Sequence, residues 1–375
     1  MVATRGTILL AAGGTGGHLF PAYALAEELA RRGYTVDLAT DMRGDRYGTG
    51  FPARAIHQLP AATLAGKSPL AVASTALTLS RGVAAAVSLL GEVRPRAVVG
   101  FGGYPSFPPL LAARLRGVRS ALHEQNAVLG RANRMLARRV DVIATSFPDV
   151  KFVGTALEAK VRLTGNPVRD TVIASAAEPY AAPVSPEPIR LLVFGGSQGA
   201  RYFSQAVPPA LAMLPADLRA RLDVTQQARE EDIGEVTAAY RKAGIRADVA
   251  AFFKDLPRIM AAAHLVVARA GASSVAELTV IGRPSILVPL PHALDNDQLQ
   301  NAAHLAESGG AWCIEQKDLS PERLASELNG LFDHPGRLAE AARCARLQGR
   351  PEAVIHLADV VEELAGETVA RLRAG

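Results

Sequence analysis

The sequence predicts an α/β protein of two domains, each a parallel sheet covered by helices, facing one another across a cleft. Three observations predict it. The 375 residues exceed a typical single domain and suit two of ordinary size. Short apolar runs alternate with helical patterns, the rhythm of strand–helix–strand units. The chain also starts over. An apolar run, a glycine loop and a helical pattern open it, and the same three features open its second half.

In the first half, residues 8–12 read as a strand. Residues 21–32 read as a helix, with Pro21 near its first turn and Gly33 just past its end. A strand is expected at 34–40, a long apolar segment at 69–91, a strand at 97–100 and a helix at 107–116. A strand at 120–123, a helix near 131–138 and a strand at 140–145 follow. Pro179, Pro183, Pro186 and Pro188 then mark a loop at the entrance to a second unit. There, residues 189–194 read as a strand running into Gly195-Gly196-Ser197-Gln198-Gly199-Ala200 and a helix. Strands at 223–225, 248–250, 265–268 and 285–288 alternate with helices, and 352–372 reads as a last helix. The two halves together predict two Rossmann-like domains.

Composition narrows the function. Hydrophobic residues make up 49% and charged residues 21%, a globular composition with ample core. Aromatics are only 5%, and the Ala, Val and Leu that dominate suit helices on buried parallel strands. A net charge of +5 and a pI near 9.4 leave nucleic acid, an anionic membrane surface or phosphorylated small substrates as partners. No Lys/Arg block interleaved with aromatics is present, so nucleic acid is not expected. Cys313 and Cys344 have neither CxxC spacing nor neighbouring ligands, and read as buried or idle thiols in a reducing compartment. The first apolar run is too short for a signal-peptide core, and residues 68–80 fall short of the roughly 20 needed to span a bilayer. Neither secretion nor membrane spanning is expected.

The chemistry sits in the glycine loops. A glycine turn between a strand and a helix exposes backbone N–H groups at a helix N-terminus, where a diphosphate binds well. The first such loop is Gly13-Gly14-Thr15-Gly16-Gly17-His18. As a dinucleotide fingerprint it fails at Leu19, where a third glycine should pack; Asp41 keeps a nicotinamide enzyme only as a distant reading. A third loop, Gly100-Phe101-Gly102-Gly103-Tyr104-Pro105-Ser106, precedes His123-Glu124-Gln125-Asn126 at the end of a strand. Ligands of open α/β sheets bind beyond the carboxyl ends of strands, so His18, His123, Glu124 and Asn126 are expected to converge. In the second half, Arg269-Ala270-Gly271-Ala272 starts a helix carrying Glu277, suited to ribose hydroxyls. Asp295, Gln298 and Asn301 recur at i+3 and are expected on one helix face, suited to sugar hydroxyls. Asp295-Asn296-Asp297 lacks further acids, so no metal and no cofactor is expected.

These motifs, with Gly165-Asn166-Pro167-Val168-Arg169, resemble in order those of the MurG family of bacterial glycosyltransferases. Its members transfer GlcNAc from UDP-GlcNAc to undecaprenyl-diphospho-muramoylpentapeptide. The resemblance implies the GT-B architecture, an N-terminal acceptor- and membrane-binding domain at 1–167 plus 353–375, and a UDP-GlcNAc-binding domain at 168–352. It implies inverting transfer to the 4-hydroxyl of MurNAc in lipid I, forming lipid II for peptidoglycan. It assigns Thr15, Gly16, Gly17, Asn126, Arg169, Ser197, Phe253, Glu277 and Gln298 to substrate binding. Asp297, beside Gln298, departs from the family's commoner Gln or His.

The general base is expected to be His18, with His123 and Glu124 as alternatives. Ser197 with nearby N–H groups, and Arg169, are expected to hold the diphosphate. A polyprenyl acceptor requires a membrane surface. The apolar segment 64–90 with Arg114, Arg116 and Arg119 is the expected docking face, placing the chain peripherally on the cytoplasmic side, with cell-wall synthesis proteins as further partners. The remaining readings are another UDP-sugar enzyme of the same architecture, such as a 2-epimerase or a glycolipid or antibiotic transferase, and a non-enzymatic donor-binding subunit.

Overall fold

The computed structural model describes residues 5–13, 16–41, 50–61, 68–291 and 293–366. They form two compact units, one from residues 1–169 with 351–375, the other from 170–350.

In the first unit a parallel sheet runs in the order β3-β2-β1-β4-β5-β6-β7. The strands are β1 (Thr7–Ala11), β2 (Thr35–Thr40), β3 (Ala55–Gln58), β4 (Ala97–Gly100), β5 (Arg119–Glu124), β6 (Val142–Thr145) and β7 (Val161–Leu163). β1 lies between β2 and β4 with both faces covered, which is why its sequence is an unbroken apolar run. Ile8 and Leu10 pack with Leu25 and Leu29 of the helix Gly16–Arg31 and with Leu357 and Val361 of the helix Ala353–Leu364. Leu9 and Ala11 face the opposite layer, Leu89 and Leu90 of the helix Pro69–Val93 and Leu110 of the helix Phe107–Arg116. Burying each such large side chain is worth about 1.5–3 kcal/mol.

An ionic cluster clamps the last helix onto this layer. Arg32 reaches Glu28 at 2.7 Å, Asp359 at 2.6 Å and Glu362 at 2.7 Å, and Arg5 lies beside Glu362. Helix Pro69–Val93 is fixed where Gly82 crosses the chain: a Cβ there would stand 2.0 Å from the Pro60 carbonyl oxygen.

The second unit has the order β10-β9-β8-β11-β12-β13, again all parallel. Its strands are β8 (Ile189–Phe194), β9 (Leu222–Gln227), β10 (Arg246–Ala250), β11 (Leu265–Ala268), β12 (Ser285–Leu287) and β13 (Ala311–Cys313). Its core joins Leu191, Val193, Val224, Val267 and Ile286 to Phe203, Val207, Leu324 and Leu328.

Three strands escape the sequence pattern: β3, β7 and β13 are short edge strands with weak alternation. β3 is held by charge instead. Asp37 of β2, fully buried, accepts from Arg54 at 2.7 and 2.9 Å and from His57 at 3.0 Å, and these partners hold its carboxyl below the usual range against burial, which raises it. The first helix begins at Gly16, five residues earlier than the pattern predicts, so His18 sits in its first turn.

Candidate active site

In each sheet the strand order reverses once, between β1 and β4 in the first unit and between β8 and β11 in the second. Loops leaving two such strands diverge to opposite faces and open a crevice at the carboxyl end, the usual ligand position in this kind of sheet. The glycine loops leave these four strands.

In the first unit the loop after β4 is shaped around His18. Gly102 (φ 86) and Gly103 (φ 69) adopt backbone that favours glycine, and a Cβ on either would lie 3.4 Å from a carbon of the His18 ring. Ser106, fully buried, has its hydroxyl 2.8 Å from the carbonyl oxygens of both Ala11 and Gly102, tying this loop to the end of β1. Gly13 is equally constrained, since a Cβ there would meet Thr40, Asp41 and Pro105 at 2.9–3.1 Å. Gly14 and Thr15 lie outside the described residues. Gly16 and Gly17 open the helix, and Phe20 on its next turn carries the Arg169 guanidinium 4.8 Å above its ring.

The end of β5 supplies a buried polar chain. His18 Nδ1 is 3.0 Å from Gln125 Oε1. Gln125 Nε2 lies 2.9 Å from His123 Nδ1 and donates to the His123 carbonyl at 3.0 Å. His123 Nε2 is 3.0 Å from the Gly165 carbonyl. His123 is fully buried, and burial pushes its pKa down to about 4, so its ring is neutral at physiological pH. Glu124 is engaged differently. It accepts from the backbone N–H of Gly130 at 2.8 Å and of Asn126 at 3.0 Å, and from the amides of Asn133 at 2.8 Å and Asn126 at 3.3 Å. Burial raises its pKa and these donors oppose the rise. Its oxygens thus shape the 126–130 turn, and Asn126 is positioned by it.

In the second unit the loop after β8 leads into the helix Gly196–Ala212, with Ser197 in its first turn. Gln227 at the end of β9 ties neighbouring loops together: Oε1 accepts from Gly195 N at 3.3 Å and Nε2 donates to Ala251 O at 3.1 Å. Phe253, half-buried, follows the Ala251 it anchors. After β11, Arg269 is a buried cation. It donates to the carbonyls of Val288 and Pro289 at 3.1 Å and to Gln316 Oε1 at 2.6 Å, and it lies over the rings of Tyr202 and Phe203. Burial lowers its pKa to about 10. Glu277 is buried in the helix Ala272–Ile281 that follows. Gln298 Oε1 accepts from Leu290 N at 3.0 Å, which shapes the turn after β12.

The expected face of Asp295, Gln298 and Asn301 needs correction. Asp295 precedes the helix Asp297–Glu307 in a left-handed conformation (φ 58), so it does not share the helix face. Asn301 is fully buried and donates to Ala270 O at 3.1 Å, bracing the loop after β11. Asp297, the first residue of that helix, accepts from Gln298 N at 2.7 Å. Among the described residues no group of three or more His, Cys, Asp and Glu is placed to hold a metal. Sequence reasoning gave no role to Gln125, Asn133, Gln227 or Gln316. Gln125 had a signal, standing two residues beyond His123 on a strand end.

Residues 8–145 match the glycosyltransferase family 28 N-terminal domain and residues 190–357 its C-terminal domain. The chain belongs to glycosyltransferase family 28. This family-28 chain is therefore a glycosyltransferase, with GT-B neighbours among solved structures. It is 53% identical over 374 residues, 99% of both chains, to the UDP-N-acetylglucosamine--N-acetylmuramyl-(pentapeptide) pyrophosphoryl-undecaprenol N-acetylglucosamine transferase of Mesorhizobium japonicum. It is 52% identical to the Brucella abortus protein of the same name, covering 100% of this chain and 98% of that one. The crystal structure of Acinetobacter baumannii MurG superposes with a TM-score of 0.78 at 29% identity, covering 96% and 99%.

Proposed function

We propose that the chain transfers N-acetylglucosamine from UDP-GlcNAc to the 4-hydroxyl of MurNAc in undecaprenyl-diphospho-MurNAc-pentapeptide, forming lipid II for peptidoglycan synthesis. The observation that carries this is the 53% identity, end to end, with a transferase named for that donor and acceptor. The 2-epimerases that share the architecture do so at 12–15% identity, which speaks for the fold alone.

The acceptor oxygen attacks the anomeric carbon opposite the UDP group. The bond from that carbon to the phosphate oxygen breaks, its electron pair leaves with UDP, and the hydroxyl proton passes to a base. His18 takes that proton in our reading. It stands in the first turn of its helix, partly accessible, beside the glycines at the sheet's switch point. His123 and Glu124, the alternatives, are buried and engaged by neighbouring groups, which suits positioning better than proton transfer from substrate. Donor binding falls to Ser197 and its helix N-terminus, Glu277 toward ribose, backbone near Phe253 toward uracil, and Gln298 toward the sugar. Thr15, Gly16, Gly17, Asn126 and Arg169 complete the substrate contacts, with Arg169 favouring the diphosphate charge. Radiolabelled UDP-GlcNAc with lipid I should yield a lipid-linked disaccharide, and without lipid I none; absence of that product refutes the assignment. His18→Ala should lower kcat by about 10²–10⁴; wild-type turnover would remove His18 as the base.

Peripheral attachment to the cytoplasmic face of the membrane belongs to the same proposal. Residues Ser74–Val93 have the length and apolarity of a spanning helix, yet Ala86, Leu89 and Leu90 are buried in the first unit's core. What this helix and its neighbour Phe107–Arg116 expose, Leu77 and Leu115 with Arg81, Arg114 and Arg116, supports docking at an anionic headgroup surface. Replacing Arg81, Arg114 and Arg116 by Gln should reduce flotation with anionic liposomes; undiminished flotation refutes it.

A further inference from the structure

Two backbone carbonyls, that of His123 on β5 and that of Gly165 just beyond β7, determine where the protons in the His18–Gln125–His123 chain reside. A carbonyl oxygen only accepts. The atom of Gln125 lying 3.0 Å from the His123 carbonyl must therefore be the amide nitrogen, which turns Oε1 toward His18. Oε1 also only accepts, so His18 Nδ1, 3.0 Å away, carries a proton. At the other end the Gly165 carbonyl, 3.0 Å from His123 Nε2, requires a proton there. His123 Nδ1 then holds a lone pair and accepts from Gln125 Nε2 at 2.9 Å. The two constraints start from opposite ends and agree on one arrangement. A flipped Gln125 would oppose oxygen to the His123 carbonyl, and the other His123 tautomer would oppose a lone pair to the Gly165 carbonyl.

We propose that Gln125 is a positioning residue for the transfer reaction: backed by His123 and Gly165, it holds the His18 imidazole with its proton on Nδ1, so that Nε2 carries the basic lone pair. The proposal rests on the reading of His18 as the base. Burial gives the arrangement its authority. Gln125 is 2% exposed and His123 0%, so water cannot replace a lost partner and a misdirected dipole would stay unsatisfied. Gly102 and Gly103 flank the ring, and a Cβ on either would stand 3.4 Å from its Cε1 or Cδ2. In neutral imidazole a proton fixed on one nitrogen leaves the other as the base, and a base presented in the wrong tautomer takes no proton from a substrate.

The test uses the full chain, labelled with 15N-histidine, and reads the Nδ1 and Nε2 shifts of His18 alongside steady-state kinetics. Gln125→Met removes both amide functions at similar volume. The expected result is a change from the Nδ1-protonated form toward a tautomer mixture, with kcat reduced roughly 10- to 100-fold and the KM for UDP-GlcNAc within about twofold. Gln125→Glu retains an oxygen opposite His18 Nδ1, and its second oxygen, protonated, can donate to His123 where Gln125 Nε2 did. It should keep Nδ1 protonated and restore most of the kcat lost in Gln125→Met. A local folding defect would not be relieved in this way together with recovery of the Nδ1-protonated form. An unchanged His18 tautomer in Gln125→Met, or a changed tautomer with kcat within twofold of wild type, overturns the proposal. If His18→Ala itself keeps wild-type turnover, the base assignment is what has failed, and the 15N shifts still decide whether Gln125 sets the tautomer.

Discussion

Replacing Gly103 by alanine strikes the site at one methyl group. Gly103 has φ 69 and ψ 168, a region essentially reserved for glycine, where another residue costs of order 1–3 kcal/mol. The new Cβ would stand 3.4 Å from His18 Cδ2 and 3.5 Å from His18 Nε2, against the edge of the ring proposed to take the proton. A methyl at these distances makes ordinary van der Waals contact with the ring, so it is the strained backbone, as it relaxes, that should shift the loop against His18 by a few tenths of an ångström. Because a misplacement of about 1 Å costs on the order of 10²-fold in rate, a shift of this smaller size should lower kcat about 3- to 10-fold. The strain should lower the Tm of a unit of this size by roughly 2–12 °C, at about 2–4 °C per kcal/mol. Gly117→Ala is the control: φ is 69 there too, but nothing lies within 4 Å of its Cβ, so it should lose stability and keep kcat. The assay is product formation from radiolabelled UDP-GlcNAc with lipid I, paired with thermal unfolding. Equal kcat in the Gly103→Ala variant and wild type would refute the claim that this loop packs the base into place.

Four further outcomes follow from the geometry. Arg32→Met leaves Glu28, Asp359 and Glu362 without their shared cation, and should cost about 3–5 kcal/mol in urea unfolding. Arg5→Ala, at the more exposed end of the cluster, should cost less than about 1 kcal/mol. Acidification should destabilise the chain through His123: with a folded pKa near 4 below the ordinary 6.5, the unfolded state binds more protons between those values. Its contribution is therefore intact above about pH 6.5 and declines toward pH 4, with a slope up to about 1.4 kcal/mol per pH unit. Urea midpoints across that range should show it, and His123→Gln should remove that part of the slope. Gln298→Ala deprives Leu290 N of its acceptor, and should raise the KM for UDP-GlcNAc about 10-fold with a smaller effect on kcat; an unchanged KM would separate Gln298 from donor binding.

The local code of this chain resides in its central strands and glycine loops, and both are legible in sequence for physical reasons. β1, β4, β8 and β11 are covered on both faces, so their buried positions are apolar on both sides, and the turns after them need glycine where φ is positive or neighbours crowd the backbone. The repeated strand–loop–helix unit therefore announces the fold class, and the ordered motifs announce the family. Edge strands carry no such pattern. β3 is set by Asp37 finding Arg54 and His57, an alignment of charges that no local rule exposes.

The candidate-site motifs divide the same way. Sequence alone brought His18, His123, Glu124 and Asn126 to the carboxyl edge of one sheet, because strand order and parallel pairing dictate which loops meet. It could not divide the work among them. That division depends on which side chain is buried, which carbonyl faces which nitrogen and where an amide points, and these come from contacts 42 and 107 residues apart along the chain. Tertiary packing alone turned His123 and Glu124 inward, put Asn301 beneath the Ala270 carbonyl rather than on an open face, and placed Gln125 between two histidines. Residue type fixes which protons exist; only burial and long-range geometry fix where they stay.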